Sequence, residues 1–127
     1  MNNINPVNWF EIYVDDIDRA RKFYETVLGL EMLDMQMPEG MDMKMVSFPW
    51  VEGAPNATGA LVQMANMKAG GNSTVVYFQS EDCQIEQDRI ESAGGKILQP
   101  KFPIGEHGFC AWGIDTEGNY FALHSMK

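Results

Sequence analysis

The chain has 127 residues, a formal net charge of −9 and an isoelectric point near 4.5. This length is enough for one compact domain with a hydrophobic core. The acidity argues against nucleic acid or an anionic membrane as a partner, because both are bound through basic patches.

The beginning of the chain, MNNINPVNW, lacks the basic start and the apolar core of a signal peptide. No apolar run approaches the length that crosses a bilayer. We therefore expect a cytoplasmic protein. Cys83 and Cys110 follow neither a metal-ligand spacing nor a disulfide framework, so we expect both to be free thiols.

Residues 7–14 alternate between two kinds of side chain, which predicts a strand. One face is uniformly apolar, and we expect it to contact the helix that follows. The other face is then predicted to line a cavity. The apolar face consists of Phe10, Ile12 and Val14, and the other face of Trp9, Glu11 and Tyr13.

An amphipathic helix is predicted between the turn at Asp15 and Asp16, both of which offer N-cap chemistry, and Gly29, which is its C-cap. Its apolar face contains Ala20, Tyr24 and Val27, which recur at helical spacing. Strands are predicted over residues 30–37, 41–48 and 59–64. A loop rich in Gly, Pro and Asn separates the last two.

The second half repeats this order. A strand is predicted over residues 73–80, then a helix over 81–93 with Ile85, Ile90 and Ala93 inward, and strands over 96–98, 108–114 and 120–124. Asp16 and Asp82 mark the two turns and Gly29 and Gly95 the two helix ends, with one offset of 66 residues (82 − 16 and 95 − 29). The shared offset indicates an internal duplication.

Each half therefore reads as a βαβββ module, over about residues 1–68 and 69–127 of one domain. The predicted fold class is α+β with a mostly antiparallel sheet. The sequence also resembles the vicinal oxygen chelate superfamily, which includes glyoxalase I, extradiol dioxygenases and the bleomycin and fosfomycin resistance proteins. The resemblance covers essentially the whole chain and is carried by VDDIDRARKFYETVLGLEM, SEDCQIEQDRIESAGGKILQPK and DTEGNYFALHS.

The resemblance implies two modules whose sheet curls around a concave cavity, with both helices on the convex face. It also implies a homodimer, because many members of the family dimerise. Enzymes of the family hold a divalent metal in the cavity through His and Glu side chains. Here the corresponding positions are occupied by Trp9, Ala60, Val75 and Ala122, which cannot bind a metal. We therefore expect no metal and no other cofactor.

A displaced metal site is the alternative, built from His107, His124, Glu11 and Glu106. The chain has only two histidines, so a site with three His ligands cannot form within one chain. We favour the absence of a metal because a metal site needs fixed ligand geometry and supporting hydrogen bonds.

Two residues are candidates for proton transfer. Glu11 lies between aromatic side chains on the predicted cavity face, where desolvation would raise its pKa. Tyr77 and His124 are its expected hydrogen-bond partners, and His124 is the second catalytic candidate. For Glu11 a structural role and a functional role are equal alternatives, whereas for His124 the structural role is favoured. The predicted ligand-binding residues are Trp9, Tyr13, Met45, Tyr77, Gln79 and Trp112.

Three functions remain open from the sequence. The chain is a metal-independent, glyoxalase-like lyase or isomerase acting on a small carbonyl compound with Glu11 as base, or a non-catalytic protein that sequesters a ligand as bleomycin resistance proteins do, or a regulatory interaction protein. A polar constellation around a perturbed carboxylate would favour the enzyme. An aromatic, open pocket at a dimer interface would favour sequestration.

Overall fold

Two four-stranded sheets, each with one α-helix, make up residues 5–127, which is the part of the chain that the computed structural model describes. The first half contains β1 (Trp9–Tyr13), α1 (Ile17–Leu28), β2 (Leu33–Asp34), β3 (Met43–Ser47) and β4 (Thr58–Met64). The second half contains β5 (Val76–Gln79), α2 (Cys83–Ile90), β6 (Lys96–Pro103), β7 (Phe109–Ile114) and β8 (Tyr120–Ser125). The predicted order, strand, helix and three strands in each half, is confirmed.

The two sheets have the same topology. Their strand orders are β1-β4-β3-β2 and β5-β8-β7-β6. In each sheet the first strand pairs in parallel with the last, and the other pairs are antiparallel. The α+β class with a mostly antiparallel arrangement is confirmed, and the sheets do not close into a barrel.

Helix α1 begins and ends where the sequence predicts. The Asp16 carboxylate accepts the backbone N–H of Arg19 at 3.1 Å and so caps the first turn. Gly29 has a φ of 67° and donates its N–H to the Glu25 carbonyl, which closes the last turn in the left-handed conformation that glycine adopts most readily. The buried side of the helix contains Ile17, Ala20, Phe23, Tyr24 and Val27.

One aromatic cluster joins the two halves on the helix side of the sheets. The ring centroids lie 5.4 to 6.4 Å apart, mostly in tilted or edge-to-face pairs. Both sheets therefore share one core. The cluster contains Phe10 and Phe48 from the first sheet, Phe78 and Phe121 from the second, and Tyr24 from α1.

The turn between β7 and β8 packs against the junction of β1 and α1. One oxygen of Glu117 accepts the backbone N–H groups of Asp15 and Asp16, at 3.0 and 2.9 Å. Both oxygens bind the guanidinium of Arg19, at 2.7 and 2.9 Å. Asn119 donates to the Tyr13 carbonyl at 2.9 Å. A turn of the second half thus supplies the hydrogen bonds that the first helix needs at its N-terminus.

The pKa values of two acidic groups of this turn are shifted in opposite directions. Burial raises the pKa of Asp115, although that carboxylate accepts the Tyr24 hydroxyl at 2.6 Å. Burial would also raise the pKa of Glu117, but hydrogen bonds from Arg19 and the Asp16 N–H outweigh it, and the pKa is lowered. Glu117 is therefore held as a carboxylate in the folded protein.

Helix α2 is shorter than predicted, and one of its assigned core residues was wrong. The Asp82 carboxylate accepts the N–H of Gln84, and this cap starts the helix at Cys83 instead of residue 81. The buried positions Cys83, Gln87 and Ile90 then follow helical spacing. Ile85 falls outside that stripe and is 45% exposed.

Two strands also differ from their predicted lengths. Strand β2 covers only Leu33–Asp34. Strand β6 continues through Pro100 to Pro103 instead of ending before it. It is the edge strand of its sheet and pairs with β7 through two register shifts, and an edge position tolerates proline. Cys83 and Cys110 are free thiols, as predicted, and both are buried. No helix within residues 5–127 is long and apolar enough to cross a membrane.

Candidate ligand-binding face

The strand register defines a surface opposite the helices, which we call the open face. Phe10 and Phe78 contact the aromatic core on the helix side, so their neighbours in β1 and β5 point the other way. Glu11 is in register with Ala60, and Tyr77 with Ala122. All eight residues predicted for the site lie on this face: Trp9, Glu11, Tyr13, Met45, Tyr77, Gln79, Trp112 and His124.

Glu11 is held between two aromatic side chains of its own strand. The Trp9 indole N–H donates to one carboxylate oxygen at 3.2 Å, and the Tyr13 hydroxyl donates to the other at 2.9 Å. Its predicted position opposite Phe10 and Ile12 is confirmed. The hydrogen bond from the Tyr13 hydroxyl to Glu11, together with partial burial, raises the pKa of Tyr13.

The predicted partners of Glu11 were wrong. Trp9 and Tyr13, not Tyr77 and His124, bind the carboxylate, since residues two apart in a strand share a face and are neighbours. Tyr77 and His124 belong to the second sheet, which is not hydrogen-bonded to β1.

Tyr77 and Trp112 form the aromatic part of the second sheet's open face. Their rings meet edge to face with centroids 6.2 Å apart, and both residues are in register with the small Ala122. The Trp112 indole N–H is buried and has no acceptor within residues 5–127. A buried donor without an acceptor costs about 1–3 kcal/mol.

The two candidates for proton transfer are not hydrogen-bonded to each other. The Nε2 atom of His124 lies 2.6 Å from the His107 carbonyl oxygen. Gln79 accepts the amide of Asn56 at 2.6 Å instead of pairing with Glu11. Burial raises the pKa of Cys110, which keeps the thiol protonated and argues against a nucleophile. The open face therefore has no hydrogen-bonded catalytic pair among these residues.

The residues at the family's metal positions do not fit a metal. Trp9, Ala60 and Ala122 lie on the open face, where the resemblance places ligands, but an indole and two methyl groups offer no lone pair to a cation. Within residues 5–127, no group of three or more His, Cys, Asp or Glu side chains is arranged to hold a metal ion. Of the displaced set, Glu106, His107 and His124 are neighbours, but the His124 ring contacts the His107 carbonyl and Glu11 accepts hydrogen bonds from Trp9 and Tyr13.

Two hollows lie at the margins of the sheets. One, of about 190 Å³, is lined by Asp42, Lys44, Gln63 and Lys68 among others. The other is an open cleft of about 800 Å³, where the loop around Asn56 faces Gln79 and Glu81. Glu11 and Trp112 line neither hollow. Glu11 and Tyr77 are exposed, so the open face is accessible in the single chain.

Sequence reasoning missed several residues of the open face. Strand pairing adds Val62 beside Tyr13 and Met45, and Ile114 beside Tyr120. The signal was present, because continuing the alternation from Trp112 and Ala122 leads to Ile114 and Tyr120. The buried Glu117 was missed because its role depends on a contact between distant segments.

The model of the family described as bleomycin resistance protein-like N-terminal matches residues 7–48. The protein CFP32 of Mycobacterium tuberculosis, which its name describes as a candidate glyoxylase, is 26% identical over 113 residues. These residues are 87% of this chain and 42% of that protein. Both matches agree with the resemblance of the sequence to the vicinal oxygen chelate superfamily.

Solved structures of the superfamily share the fold. Glyoxalase I from Zea mays matches with a TM-score of 0.76 at 20% identity, over 95% of this chain and 46% of that one. A member of the glyoxalase/bleomycin resistance protein/dioxygenase superfamily from Sphaerobacter thermophilus matches with a TM-score of 0.70 at 23% identity, over 96% and 98%. The chain thus spans less than half of the mycobacterial and maize proteins and nearly all of the Sphaerobacter protein.

Proposed function

We propose that this chain binds a small organic molecule on its open face, without the divalent metal of the family's enzymes, and that it sequesters the molecule instead of converting it. The observation that carries the proposal is the accessible combination of aromatic rings, methionine and one oriented carboxylate on a single face. Such a face offers apolar contact area with a few polar groups that fix orientation, as small-molecule sites do.

The chemistry of the face favours binding over turnover. The residues at the family's metal positions cannot hold a metal ion that would act as a Lewis acid. Glu11 accepts hydrogen bonds from Trp9 and Tyr13, and His124 contacts the His107 carbonyl. The second candidate is a metal-independent, glyoxalase-like lyase or isomerase with Glu11 as base. It is supported by the exposure of Glu11, since a base has to reach the substrate proton.

A homodimer completes the proposal. A molecule on an exposed face is held loosely, and a second copy would cover it and desolvate it. The proposed complex is therefore two chains with ligand enclosed between open faces.

Native mass spectrometry of protein purified from its host, without chelator, tests the proposal because it reports ligand, metal and assembly together. We expect a retained small molecule and well under one transition metal ion per chain. Tyr77→Ala should lose the molecule, since Tyr77 is 49% exposed on the open face. Ile85→Ala is the matched control, with similar exposure on α2 and no contact with that face.

A stoichiometric metal in the wild-type protein would contradict the metal-free proposal. Equal retention of the molecule in Tyr77→Ala and Ile85→Ala would place it elsewhere. To separate sequestration from catalysis, the retained molecule is returned to the protein and followed over time. Recovery of the same mass supports sequestration, whereas a product mass that disappears in Glu11→Gln supports the lyase or isomerase.

A further inference from the structure

The Glu11 carboxylate has a defined orientation on the open face, but only about half of its hydrogen-bond acceptor positions are occupied. Each oxygen accepts one hydrogen bond, from Trp9 on one side and from Tyr13 on the other. A carboxylate has about four acceptor positions, so about half of its capacity stays free. Two aromatic side chains thus fix an anionic group that is still able to bind a further donor.

The surroundings of Glu11 contain no positive charge that would balance it. Within the described residues, no Lys, Arg or His forms an ion pair with Glu11. Its neighbour in register is Ala60, and the adjacent positions of β4 are Thr58 and Val62. Strands β1, β4, β5, β7 and β8 contain no Lys or Arg, and Lys44 of β3 is in register with Gln63, on the other side from Met45. Lys96 is on the same side as Glu11, in register with Ile114, but it lies on β6, the edge strand of the other sheet.

From this arrangement we infer that the ligand of the open face is an organic cation, a substituted ammonium group attached to an apolar or aromatic body. This inference rests on the proposed binding function. The ammonium would lie against the free positions of the Glu11 carboxylate, beside the rings of Trp9 and Tyr13. A carboxylate next to aromatic rings suits alkylated ammonium groups, because both the charge and the ring faces attract them.

Other ligand chemistries fit less well. An anion would be repelled by Glu11 and by the net charge of −9. A bare metal ion would find one carboxylate, and within residues 5–127 no second or third ligand completes a site. A small hydrated cation would gain little from the rings. The apolar body of the ligand would contact Tyr77, Trp112 and Met45, which extend the open face beyond Glu11.

Three soluble probes of similar shape and different charge test the inference: benzyltrimethylammonium, benzyl alcohol and benzoate. Each is titrated into the full chain labelled with ¹³C at its methionine methyl groups. Met45 reports the open face, and the buried Met32 serves as an internal reference. We expect the cation to bind about tenfold more tightly than the alcohol, the sum of one partly exposed ion pair and one cation–π contact. Benzoate should not bind.

Glu11→Gln removes the charge and keeps the shape and an acceptor oxygen. In this variant the affinity for benzyltrimethylammonium should fall about threefold and stay above that of benzyl alcohol, because the ion pair is lost and the cation–π contact is kept, while the affinity for the alcohol is unchanged. Raised salt should weaken the cation in the wild-type protein and have no effect in the variant. Glu31→Gln, at an exposed residue outside the strands, should behave like the wild-type protein.

The outcomes separate this inference from the binding function on which it rests. If the cation and the alcohol shift Met45 equally, and Glu11→Gln changes neither, the open face binds small molecules but the cationic ligand is wrong. If no probe shifts Met45 in the wild-type protein, both the inference and the use of this face are wrong. If benzoate binds most tightly, the charge assignment is reversed and the inference fails.

Discussion

At the scale of single residues, two glutamates show how one side chain type serves binding or folding according to its surroundings. Glu11 is exposed and accepts two hydrogen bonds from flexible side chains of its own strand. Glu117 is buried and accepts backbone N–H groups and a guanidinium from a segment about 100 residues away in sequence. The first can be altered with little effect on the fold, and the second cannot.

Replacing Glu117 with Gln should lower the free energy of unfolding by about 2 kcal/mol, because the bonds to Arg19 lose their charge while Arg19 remains partly exposed to water. Urea unfolding monitored by circular dichroism measures the change. Glu31→Gln, at an exposed residue, is the control and should stay within about 0.5 kcal/mol of the wild-type protein.

The difference between the wild-type protein and Glu117→Gln should depend on pH. The folded pKa of Glu117 is lowered below its unfolded value of about 4.3, so its contribution is complete above about pH 4.3. It is lost as the pH falls through the folded pKa. Asp115 has a raised pKa, but it is present in both proteins and largely cancels. An equal difference at pH 7 and pH 3 would show that the charge of Glu117 is not what stabilises the turn.

The sequence predicted which face of the sheet a residue lies on better than it predicted the residue's hydrogen-bond partners. Alternation in β1 placed Glu11 opposite Phe10 and Ile12, since the period of a strand decides sidedness. Its hydrogen-bond partners depend on which side chains reach it, and here the nearest donors are in the same strand. Glu117 could not be placed, because nothing in DTEGN indicates that the turn contacts the N-terminus of α1.

At the scale of elements, α2 offers a direct comparison between the sequence prediction and the structure. The sequence placed both Ile85 and Ile90 inward. The structure buries Ile90 completely and leaves Ile85 45% exposed. Ile90→Ala should therefore lower the free energy of unfolding by about 2–5 kcal/mol. Ile85→Ala should cost less than about 1 kcal/mol, and urea unfolding of the two variants side by side measures both.

Equal losses in the two variants would mean that α2 is rotated relative to the sheet. The reason that the sequence was misleading lies in the helix's weak amphipathicity. Buried Cys83 and Gln87 are not strongly apolar, so two isoleucines dominated the pattern. By contrast, the core residues of α1 are larger and lie at regular spacing between an aspartate N-cap and a glycine stop, so its extent and most of its buried face were predicted.

At the scale of the whole molecule, the two halves are more alike in strand topology than in their loops and exposed surfaces. Both sheets have the same strand order. The turn before β8 is fixed by Glu117 and Asn119, whereas the corresponding loop before β4 is longer and exposes Trp50 and Val51 at 65% and 69%. The repeat could be read from the sequence because caps and periodicity are local, but this asymmetry could not, because it depends on contacts between the halves.

The last prediction concerns assembly. Two regions of the open face expose apolar side chains in the single chain: Leu33 at 49%, in register with Ser47, and Tyr77 at 49%. A chain that spans 46% of maize glyoxalase I presents one copy of the fold where the longer protein has room for two. We expect a homodimer in which the open face is covered, with about twice the 14.3 kDa of the chain in sedimentation at tens of micromolar.

Leu33→Glu should raise the dimer dissociation constant about 100-fold, because it places an unpaired charge in an apolar interface. Ile85→Glu, at a residue of matched exposure on α2, should leave the dimer intact. A wild-type monomer would refute the dimer, and a dimer that withstands Leu33→Glu but not Ile85→Glu would place the interface on the helices.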